Sequence, residues 1–288
     1  MFEYATCWID GELVPAEKAR ISVFDHGFLY GDGIFEGVRF YNRKPFRLSR
    51  HLKRLGQSAA ALRLTLPVSL AALEQAVTQT IAASALDDGY LRILVTRGVG
   101  ALGINPDSCP KGSAIVIADK LNMISDEQRL QGARTLIAAT RRSMPDRLDP
   151  RIKSLNYLNN ILARMEANFA GVDEAILLNE RGCVAEGSAE NLFIVKNGEL
   201  ITPAVTEGAL SGVTRGTTLE LARELGLPAR EGVLTPYDLY CADECILTGT
   251  GAKLIPVREV DGRPIPCPGP VYRQLAAAFS ELVARETA

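Results

Sequence analysis

The sequence predicts a protein of two domains that mixes helices and strands, in the α+β or α/β class. Its 288 residues exceed the length of a typical single domain, and 47% of them are apolar, enough for a core in each domain. Segments with strand-like alternation and segments with helical periodicity follow one another along the chain. We place an N-terminal domain at 1–118, a linker at 119–128 and a C-terminal domain at 129–288.

The N-terminal domain is predicted to combine a sheet with two helices. Asp10-Gly11 indicates a turn between two short strands, and Ser49 is the expected cap of the first helix. That helix carries an apolar stripe that includes Leu52 and Leu55. The predicted elements are strands at 34–41, 90–97 and 114–118 and helices at about 49–61 and 69–83.

The C-terminal domain is predicted to hold more strands, with a hairpin at Asn197-Gly198. A helix at 155–170 closes at Gly171, and its apolar residues from Leu155 to Met165 predict a buried face. The other predicted elements are strands at 134–140, 175–179, 183–185, 191–195, 200–202 and 245–248 and helices at about 214–225 and 270–286.

Composition excludes several functional classes. The net charge is −2 with both signs interspersed, so no basic surface for nucleic acid is expected. The six cysteines include no CxxC motif and there are only two histidines, so we expect no metal site. No signal peptide and no apolar run of membrane-spanning length is visible, which predicts a cytoplasmic protein without membrane contact.

Lys153, Tyr157 and Glu186 are the residues most indicative of chemistry. Each alone is more often an ordinary surface or strand residue. Tyr157 follows Lys153 by four residues, so the two side chains would project together if the helix has begun by then. A desolvated lysine suits an imine with an aldehyde, and a carboxylate such as Glu186 keeps a pyridine nitrogen protonated. An amine, a phenol and a carboxylate in these contexts could together hold an aromatic aldehyde cofactor, while spacing alone favours a surface lysine.

Two loops are candidate anion cradles. Ser211-Gly212-Val213-Thr214 precedes a predicted helix, whose free N–H groups and dipole attract an anion. Gly249-Thr250-Gly251 follows a predicted strand and has the composition of a backbone nest. Arg54 would add a direct charge, although a solvated helix arginine is the commoner case.

Seven motifs in order resemble the class IV (fold-type IV) pyridoxal-phosphate aminotransferases, and among them the branched-chain amino acid aminotransferases. The resemblance covers nearly the whole chain, and the seven together are far more specific than any one alone. The motifs span 30–39 (YGDGIFEGVR), 51–55 (HLKRL), 90–92 (YLR), 153–157 (KSLNY), 186–193 (EGSAENLF), 208–215 (GALSGVTR) and 248–251 (TGTG).

The resemblance implies a small N-terminal α/β domain, a larger β-barrel-like C-terminal domain with helices, and pyridoxal 5'-phosphate between them. Lys153 would bind the cofactor aldehyde and act as the catalytic base, Tyr157 would contact the phenolic oxygen, and Glu186 would hold the pyridinium. The residues implied around the phosphate and ring are Arg54, Val213, Thr214, Thr250 and Leu210. Those implied for the substrate are Tyr30, Phe35, Gly37, Arg39, Tyr90, Arg92 and Gly251, with Arg97 a further candidate for a carboxylate.

The expected reaction is ping-pong transfer of an amino group from a branched-chain L-amino acid to 2-oxoglutarate. A loop at 102–105 would reach a neighbouring subunit, so a homodimer or a higher homo-oligomer is expected. Arg97 is also similar to the arginine of D-amino acid aminotransferases, but no histidine follows it. Aminodeoxychorismate lyase is a third alternative on the same scaffold. A cofactor-free binding protein is the alternative from another class.

Overall fold

The fold is described by a computed structural model for residues 4–121 and 130–288. The chain divides into two compact units. The first comprises Met1–Asn122, Ile152–Asn156 and Arg285–Ala288, and the second comprises Met123–Arg151 and Tyr157–Ala284. Most of the proposed linker at 119–128 lies outside the described residues. Residues 152–156, which sequence analysis placed in the C-terminal domain, group with the first unit.

The first unit is built on a six-stranded antiparallel sheet with the strand order β2-β1-β6-β5-β3-β4. Asp10 and Gly11 both have positive φ and form the turn between β1 and β2, as predicted. The predicted strands are confirmed to within about one residue. The strands are β1 (Thr6–Ile9), β2 (Glu12–Pro15), β3 (Gly33–Tyr41), β4 (Lys44–Pro45), β5 (Gly89–Thr96) and β6 (Ser113–Asp119).

Three α-helices belong to the described part of this unit: α1 (His26–Tyr30), α2 (Leu48–Ala61) and α3 (Leu70–Ala83). The Ser69 side chain caps α3 by accepting a hydrogen bond from the Ala72 N–H at 3.1 Å. The predicted cap at Ser49 was wrong. Helix α2 begins one residue earlier, because Arg47 takes a left-handed conformation and turns the chain out of β4.

The core of the first unit lies between this sheet and the helices α2 and α3. Alternate residues of β3, among them Ile34, Val38 and Phe40, are fully buried on the helix-covered face. Leu52 and Leu55 of α2 pack in the same cluster, which confirms the predicted apolar stripe. One face of β3 is therefore part of the core, and the residues that alternate with it, Phe35, Gly37 and Arg39, lie on the other face.

The second unit is built on a nine-stranded mixed sheet that curls into a half-barrel. The strand order is β12-β11-β10-β13-β14-β7-β8-β9, and β15 pairs with β14. Asn197 and Gly198 both have positive φ, which confirms the predicted two-residue hairpin between β10 and β11. The strands are β7 (Ala133–Arg141), β8 (Glu174–Leu178), β9 (Val184–Gly187), β10 (Asn191–Lys196), β11 (Glu199–Pro203), β12 (Ala229–Gly232), β13 (Glu244–Gly249), β14 (Lys253–Val260) and β15 (Arg263–Pro264).

The helices that follow are α4 (Leu158–Ala170), α5 (Val213–Glu224), α6 (Pro236–Tyr240) and α7 (Pro270–Thr287). Helix α4 ends at Gly171 with positive φ, as predicted, but the predicted start at residue 155 was wrong. The preceding segment pairs with β3 instead, since Phe35 N–H donates to the Lys153 carbonyl and Leu155 N–H to the Gly33 carbonyl, each at 2.9 Å. Three-residue 3₁₀ helices lie at Ala16–Lys18, Pro106–Ser108 and Val205–Glu207.

The predicted buried face of α4 was also wrong. Its small residues Ala163 and Ala167 pack against β7 and β8, because a helix with alanines at the contact can approach a sheet closely. The large apolar side chains point away from this contact and are 46–96% exposed: Leu158, Ile161, Leu162, Met165 and Phe169. We call these five residues the α4 apolar face. Over the described residues, no helix has the length and apolar character needed to span a membrane.

Candidate active site

One face of the first sheet carries most of the predicted substrate residues. Phe35, Gly37 and Arg39 alternate along β3 with the core residues, so all three lie on the opposite face of the strand from the core. In the antiparallel register Gly37 lies opposite Arg92 and Arg39 opposite Tyr90. The structure therefore brings these five residues together on the face that the core helices do not cover.

The contacts on this face are close. The Arg92 guanidinium lies 4.7 Å from the centre of the Phe35 ring and 5.5 Å from that of Tyr90. A Cβ atom at Gly37 would lie 1.8 Å from the Tyr90 hydroxyl, so only glycine fits there with Tyr90 in place. The Arg39 Nε is buried and has no hydrogen-bond partner among the described residues. An orphaned buried donor of this kind is what a polar ligand would satisfy.

Lys153 lies beside this group. Its side-chain Nζ is 4.6 Å from the centre of the Phe35 ring. Its backbone N–H donates to the Ser58 hydroxyl of α2 at 3.1 Å. The expected alignment of Lys153 and Tyr157 on one helix was wrong, because Lys153 sits on the extended segment paired with β3. Tyr157 occupies the N-cap position of α4 and is half-buried.

Arg54 belongs to a buried ionic cluster with Glu36 and His51, which we call the Glu36 cluster. The Arg54 Nε donates to Glu36 Oε1 and the Arg54 Nη2 to Glu36 Oε2, both at 2.7 Å. The His51 Nδ1 is also 2.7 Å from Glu36 Oε2. Glu36 lies on the core face of β3, and the two partners come from successive turns of α2.

The electrostatics of this cluster favour an ionised glutamate and a neutral histidine. Burial raises the pKa of the Glu36 carboxyl, but the charge and hydrogen bonds of Arg54 and then of His51 outweigh it and lower that pKa to about 2. Burial lowers the pKa of His51, and the charges of Arg54 and Lys153 act in the same direction against the hydrogen bond and charge of Glu36. His51 Nδ1 is then the protonated nitrogen and donates to Glu36.

Two further predicted residues are held by neighbours in the first unit. The Tyr30 hydroxyl at the end of α1 accepts from the Gly103 N–H at 2.8 Å, so it contacts the 102–105 loop of its own chain. Arg97 forms a two-point ion pair with Asp32 at 2.8 and 3.0 Å, and it also donates to the carbonyls of Arg63 and Leu62. Every nitrogen of the Arg97 guanidinium is therefore engaged within the unit.

Glu186, near the end of β9, has a dense set of partners in the second unit. Its Oε1 pairs with Arg142 Nη2 at 2.7 Å. Its Oε2 accepts from the Asn191 side-chain amide at 3.0 Å and from the Leu210 N–H at 2.8 Å. A buried carboxylate with one cation and two hydrogen-bond donors is stabilised in its ionised form. This is the state that a protonated ring nitrogen requires of its partner.

Arg142 is a residue that sequence analysis missed. Its Nε donates to the Gly208 carbonyl at 3.1 Å and its Nη1 to Asn160 Oδ1 at 2.9 Å. With Nη2 on Glu186, all three guanidinium nitrogens are used to hold the carboxylate and its surroundings. Asn160, itself bound to the Ser188 carbonyl at 2.7 Å, extends the network into α4.

The start of α5 has the features of an anion site. Gly212 is its N-cap and provides no side chain to satisfy the N–H groups of the first turn, to which Val213 and the buried Thr214 belong. A Cβ at Gly212 would lie 1.9 Å from Asn191 Oδ1. Asn191 also donates to the Leu210 carbonyl at 2.9 Å. One asparagine thus links the Glu186 carboxylate to the loop that leads into the helix.

The second glycine loop follows β13. Thr250 and Gly251 are partly exposed, and the hydroxyl of the preceding Thr248 is buried without a hydrogen-bond partner in the described chain. Gly249 packs against Glu190, since a Cβ there would lie 3.3 Å from Glu190 Cγ. Burial, then the charge and hydrogen bond of Glu174, raise the pKa of the Glu190 carboxyl well above its usual range. Glu190 therefore keeps its proton at a pH where an ordinary carboxyl group has lost it.

The residues that sequence analysis missed share one feature: each has its partner on a different strand or helix of the fold. Glu36, His51 and Asn191 stood inside the quoted motifs but were given no role. Arg142 follows β7 in an Arg-Arg pair, and this charged pair at the end of an apolar strand is the one local signal that points to it. Within the described ranges, no group of three or more His, Cys, Asp or Glu is placed to hold a metal ion.

Comparison with known proteins identifies the family of this chain. The family model for amino-transferase class IV matches residues 33–260. The putative branched-chain-amino-acid aminotransferase of Methanocaldococcus jannaschii is 45% identical over 258 residues, which are 90% of this chain and 88% of that protein. The crystal structure of the Escherichia coli branched-chain amino acid aminotransferase has a TM-score of 0.94 at 35% identity and covers 99% of this chain and 97% of that one.

A further similar structure is that of a cofactor-bound enzyme. The branched-chain amino acid aminotransferase from Thermobaculum terrenum in its PLP-form has a TM-score of 0.88 at 31% identity, with 98% of this chain and 94% of that chain covered. The family match spans well over half of the chain and includes Lys153, Glu186 and both glycine loops. This chain belongs to the class IV aminotransferases.

Proposed function

We propose that this chain is a transaminase that moves the amino group of a branched-chain L-amino acid to 2-oxoglutarate, with pyridoxal 5'-phosphate as its cofactor. The branched-chain aminotransferases to which it is similar support the activity, and the PLP-form of the Thermobaculum terrenum enzyme supports the cofactor. The reaction is ping-pong, because the amino group is stored on the enzyme between an amino acid and an oxo acid.

The contacts of the Glu186 carboxylate are the observation on which the proposal rests. A carboxylate held by Arg142, Asn191 and a backbone N–H stays ionised, and an ionised partner keeps the pyridine nitrogen of the cofactor protonated. The protonated ring supplies the electron sink when the cofactor is bound. Leu210, whose N–H is bonded to Glu186, is assigned to pack on the ring, and Tyr157 is assigned to its phenolic oxygen.

Lys153 is the residue that we assign to the cofactor aldehyde. Its backbone is fixed by β3 and by Ser58, so its amine has a defined position next to the Phe35 ring. With the cofactor bound, this amine would be the general base that removes the α-proton of the substrate and donates it back. Placement of one amine for both tasks is the main contribution of the protein to the proton transfer.

The phosphate is assigned to backbone N–H groups and one arginine. The uncapped start of α5 at Val213 and Thr214 provides donors and the positive end of a helix dipole. Thr250 contributes the second loop, and Arg54 the cationic side chain. The residues present therefore fit an anionic group of this kind.

The substrate is assigned to the face of the first sheet that the core helices do not cover and to one glycine loop. Phe35, Tyr90 and Tyr30 offer apolar surface, while Arg39 and Arg92 are the cations for the γ-carboxylate of glutamate. Gly37 leaves room that Tyr90 fills, and Gly251 offers backbone to the α-carboxylate. Arg97, also predicted for a carboxylate, is engaged with Asp32, which disfavours the D-amino acid alternative in which that arginine binds substrate.

The test is a substrate comparison. The enzyme is incubated with L-leucine, D-alanine or (R)-phenylethylamine, each with 2-oxoglutarate, and the amount and handedness of the glutamate are measured. We expect turnover of L-leucine with formation of L-glutamate. Turnover of D-alanine without L-leucine would overturn the assignment.

Cofactor attachment is tested separately. We expect Lys153→Ala to lose the visible absorbance band of the bound cofactor, whereas Lys196→Ala keeps it, because Lys196 is a lysine of β10 that lies near Asp238. A protein that stays colourless in the presence of pyridoxal phosphate would favour the cofactor-free alternative.

A homo-oligomer is part of the proposal. The α4 apolar face is a contiguous stripe at helical spacing, and exposed apolar surface of this kind marks a protein interface. Leu102 and Ile104 of the 102–105 loop are also exposed, at 73% and 85%. We expect Ile161→Glu with Met165→Glu to lower the mass seen in sedimentation, while glutamates in place of exposed Lys53 and Arg223 leave it unchanged.

A cytoplasmic location stays a prediction from the sequence.

A further inference from the structure

The Glu36 cluster is a costly arrangement for a core. Glu36 points to the same face of β3 as the fully buried Ile34 and Val38, and its side chain has no exposed surface. An ion pair in such surroundings usually stabilises a protein no better than apolar residues of the same volume. Stability therefore does not account for a glutamate at this position, and a role towards another group is needed.

The geometry of the cluster fixes the orientation of Arg54. Two donors on one edge of the planar guanidinium meet the two oxygens of Glu36 at 2.7 Å each. A fork of this kind holds the plane of the guanidinium as well as its position. Of the pair, Arg54 has the only residual exposure, with 10% of its side chain accessible against none for Glu36. Arg54 is thus the member that can reach a ligand.

His51 fixes the carboxylate from the third side. It lies three residues before Arg54 on α2, and its Nδ1 donates to Glu36 Oε2 at 2.7 Å. Because burial lowers the pKa of His51, this contact adds a hydrogen bond without a second buried positive charge. The Glu36 carboxylate therefore has one fixed orientation, and this fixes the orientation of the Arg54 guanidinium that is paired with it.

We propose that Glu36 is a positioning residue that holds the Arg54 guanidinium in the orientation that receives the cofactor phosphate. This inference rests on the proposed function, which assigns Arg54 to the phosphate. Two effects of Glu36 oppose each other. Its charge weakens the attraction of Arg54 for an anion, whereas its fork preorganises the donors. The inference requires that preorganisation outweighs the charge.

The experiment compares two ligands that differ only in the phosphate. Apo-protein is titrated with pyridoxal phosphate and with pyridoxal, and the ratio of the two dissociation constants is the readout, independent of turnover. We expect Glu36→Gln to reduce the preference for the phosphorylated ligand about tenfold or more, as for other residues that orient a ligand-binding group. The glutamine presents an amide N–H₂ to one Arg54 donor, so the fork is lost.

A second variant keeps the test decisive if Glu36→Gln does not fold. Glu36→Asp retains the charge but is one methylene too short to reach both donors, and we expect a reduced preference there as well. The matched control is Asp25→Asn, another buried carboxylate of the same unit, which caps α1 and binds Thr96 at 2.8 Å. It is expected to lower stability and to leave the ratio unchanged.

The outcomes separate the two proposals. A ratio that is unchanged or increased in both Glu36 variants, while Arg54→Ala reduces it, overturns the positioning role alone. A ratio that Arg54→Ala leaves unchanged overturns the assignment of Arg54 to the phosphate. A loss of affinity for both ligands by the same factor would indicate a structural role and would also overturn the inference.

Discussion

Among the described residues, each unit of this enzyme contains one Glu–Arg pair in which both side chains are buried, and the two pairs differ in which member we assign to a ligand. Glu36 meets Arg54 in the first unit and Glu186 meets Arg142 in the second, both with contacts of 2.7 Å. In the first pair the glutamate is fully enclosed, and the arginine is the member assigned to a ligand. In the second pair all three guanidinium nitrogens of Arg142 are bonded to protein, and the glutamate is the member assigned to a ligand.

The comparison shows that the chemistry of a buried ion pair is decided by the partners around it. The same two residue types are assigned, in our proposal, to an anion in one place and to a protonated ring nitrogen in the other. In each case the supporting member has its hydrogen-bonding groups occupied by protein, which fixes the functional member and its charge. A pair of this kind stabilises little by itself, so its value lies in the placement of charge.

The largest expected effect comes from the functional member of the second pair. Glu186→Gln keeps the shape of the side chain but removes the charge that holds the ring nitrogen protonated. We expect kcat for L-leucine to fall by about 10²–10³, the range seen when a preorganised electrostatic partner is removed, while cofactor is still bound in titrations. Glu244→Gln, a buried glutamate that caps α7, should keep turnover and lose only stability. Unchanged turnover in Glu186→Gln would remove Glu186 from the mechanism.

The second effect concerns the supporting member of the first pair and acts on stability. The pKa of Glu36 is about 2 in the folded protein, against 4.5 for an ordinary glutamate in the unfolded chain. The ionised carboxylate therefore stabilises the fold fully above pH 4.5, and this stabilisation is lost as the pH falls towards 2. Relative to a protonated Glu36, this contribution is about 3 kcal/mol; it does not measure the pair against apolar residues of the same volume, with which such a pair usually breaks even. Urea unfolding of wild type and Glu36→Gln should therefore show a difference that shrinks below about pH 4. A difference that stays constant from neutral to acid pH would contradict the pairing.

The supporting member of the second pair is expected to matter less than Glu186 itself. Arg142→Gln leaves Glu186 with Asn191 and the Leu210 N–H, and we expect kcat to fall by about 10–100-fold. Without the arginine the ionised form of Glu186 is less stabilised, so the loss should be larger at lower pH. The measurement is the pH profile of kcat, with Arg230→Gln, an arginine in an exposed ion pair, as control. A loss of the same size at every pH would indicate a purely structural role.

The smallest effect is expected at Glu190, a half-buried glutamate beside Glu174. Burial and the neighbouring Glu174 raise the pKa of Glu190, so the folded protein holds a proton that the unfolded chain releases above about 4.5. This contribution destabilises the fold increasingly as the pH rises through that range. We expect Glu190→Gln to gain about 1 kcal/mol of unfolding free energy near pH 8 and almost none near pH 4. Equal gains at both pH values would show that Glu190 does not retain its proton in the folded protein.

The sequence predicted most elements because their signals are local. The hairpin at Asn197-Gly198, the turn at Asp10-Gly11 and the end of α4 at Gly171 depend on the conformations that single residues prefer. The predictions that failed depend on distant partners. The segment around Lys153 reads as the start of a helix but pairs with β3, and the large apolar residues of α4 do not face the core. Periodicity reports that a face is apolar, not which surface covers it.

By itself the sequence predicted the class of fold and the order of most elements, because these follow from residue types and short spacings along the chain. Lys153, Glu186 and the two glycine loops were singled out only by the seven motifs taken together, through their resemblance to the class IV aminotransferases. Only the tertiary structure decided that Glu36 and His51 surround Arg54, that Arg142 and Asn191 hold Glu186, and that Arg97 is bound by Asp32. These partners lie from 5 to 65 residues apart along the chain, and the energy of a buried charge depends on all groups within a few ångströms, which no local pattern encodes.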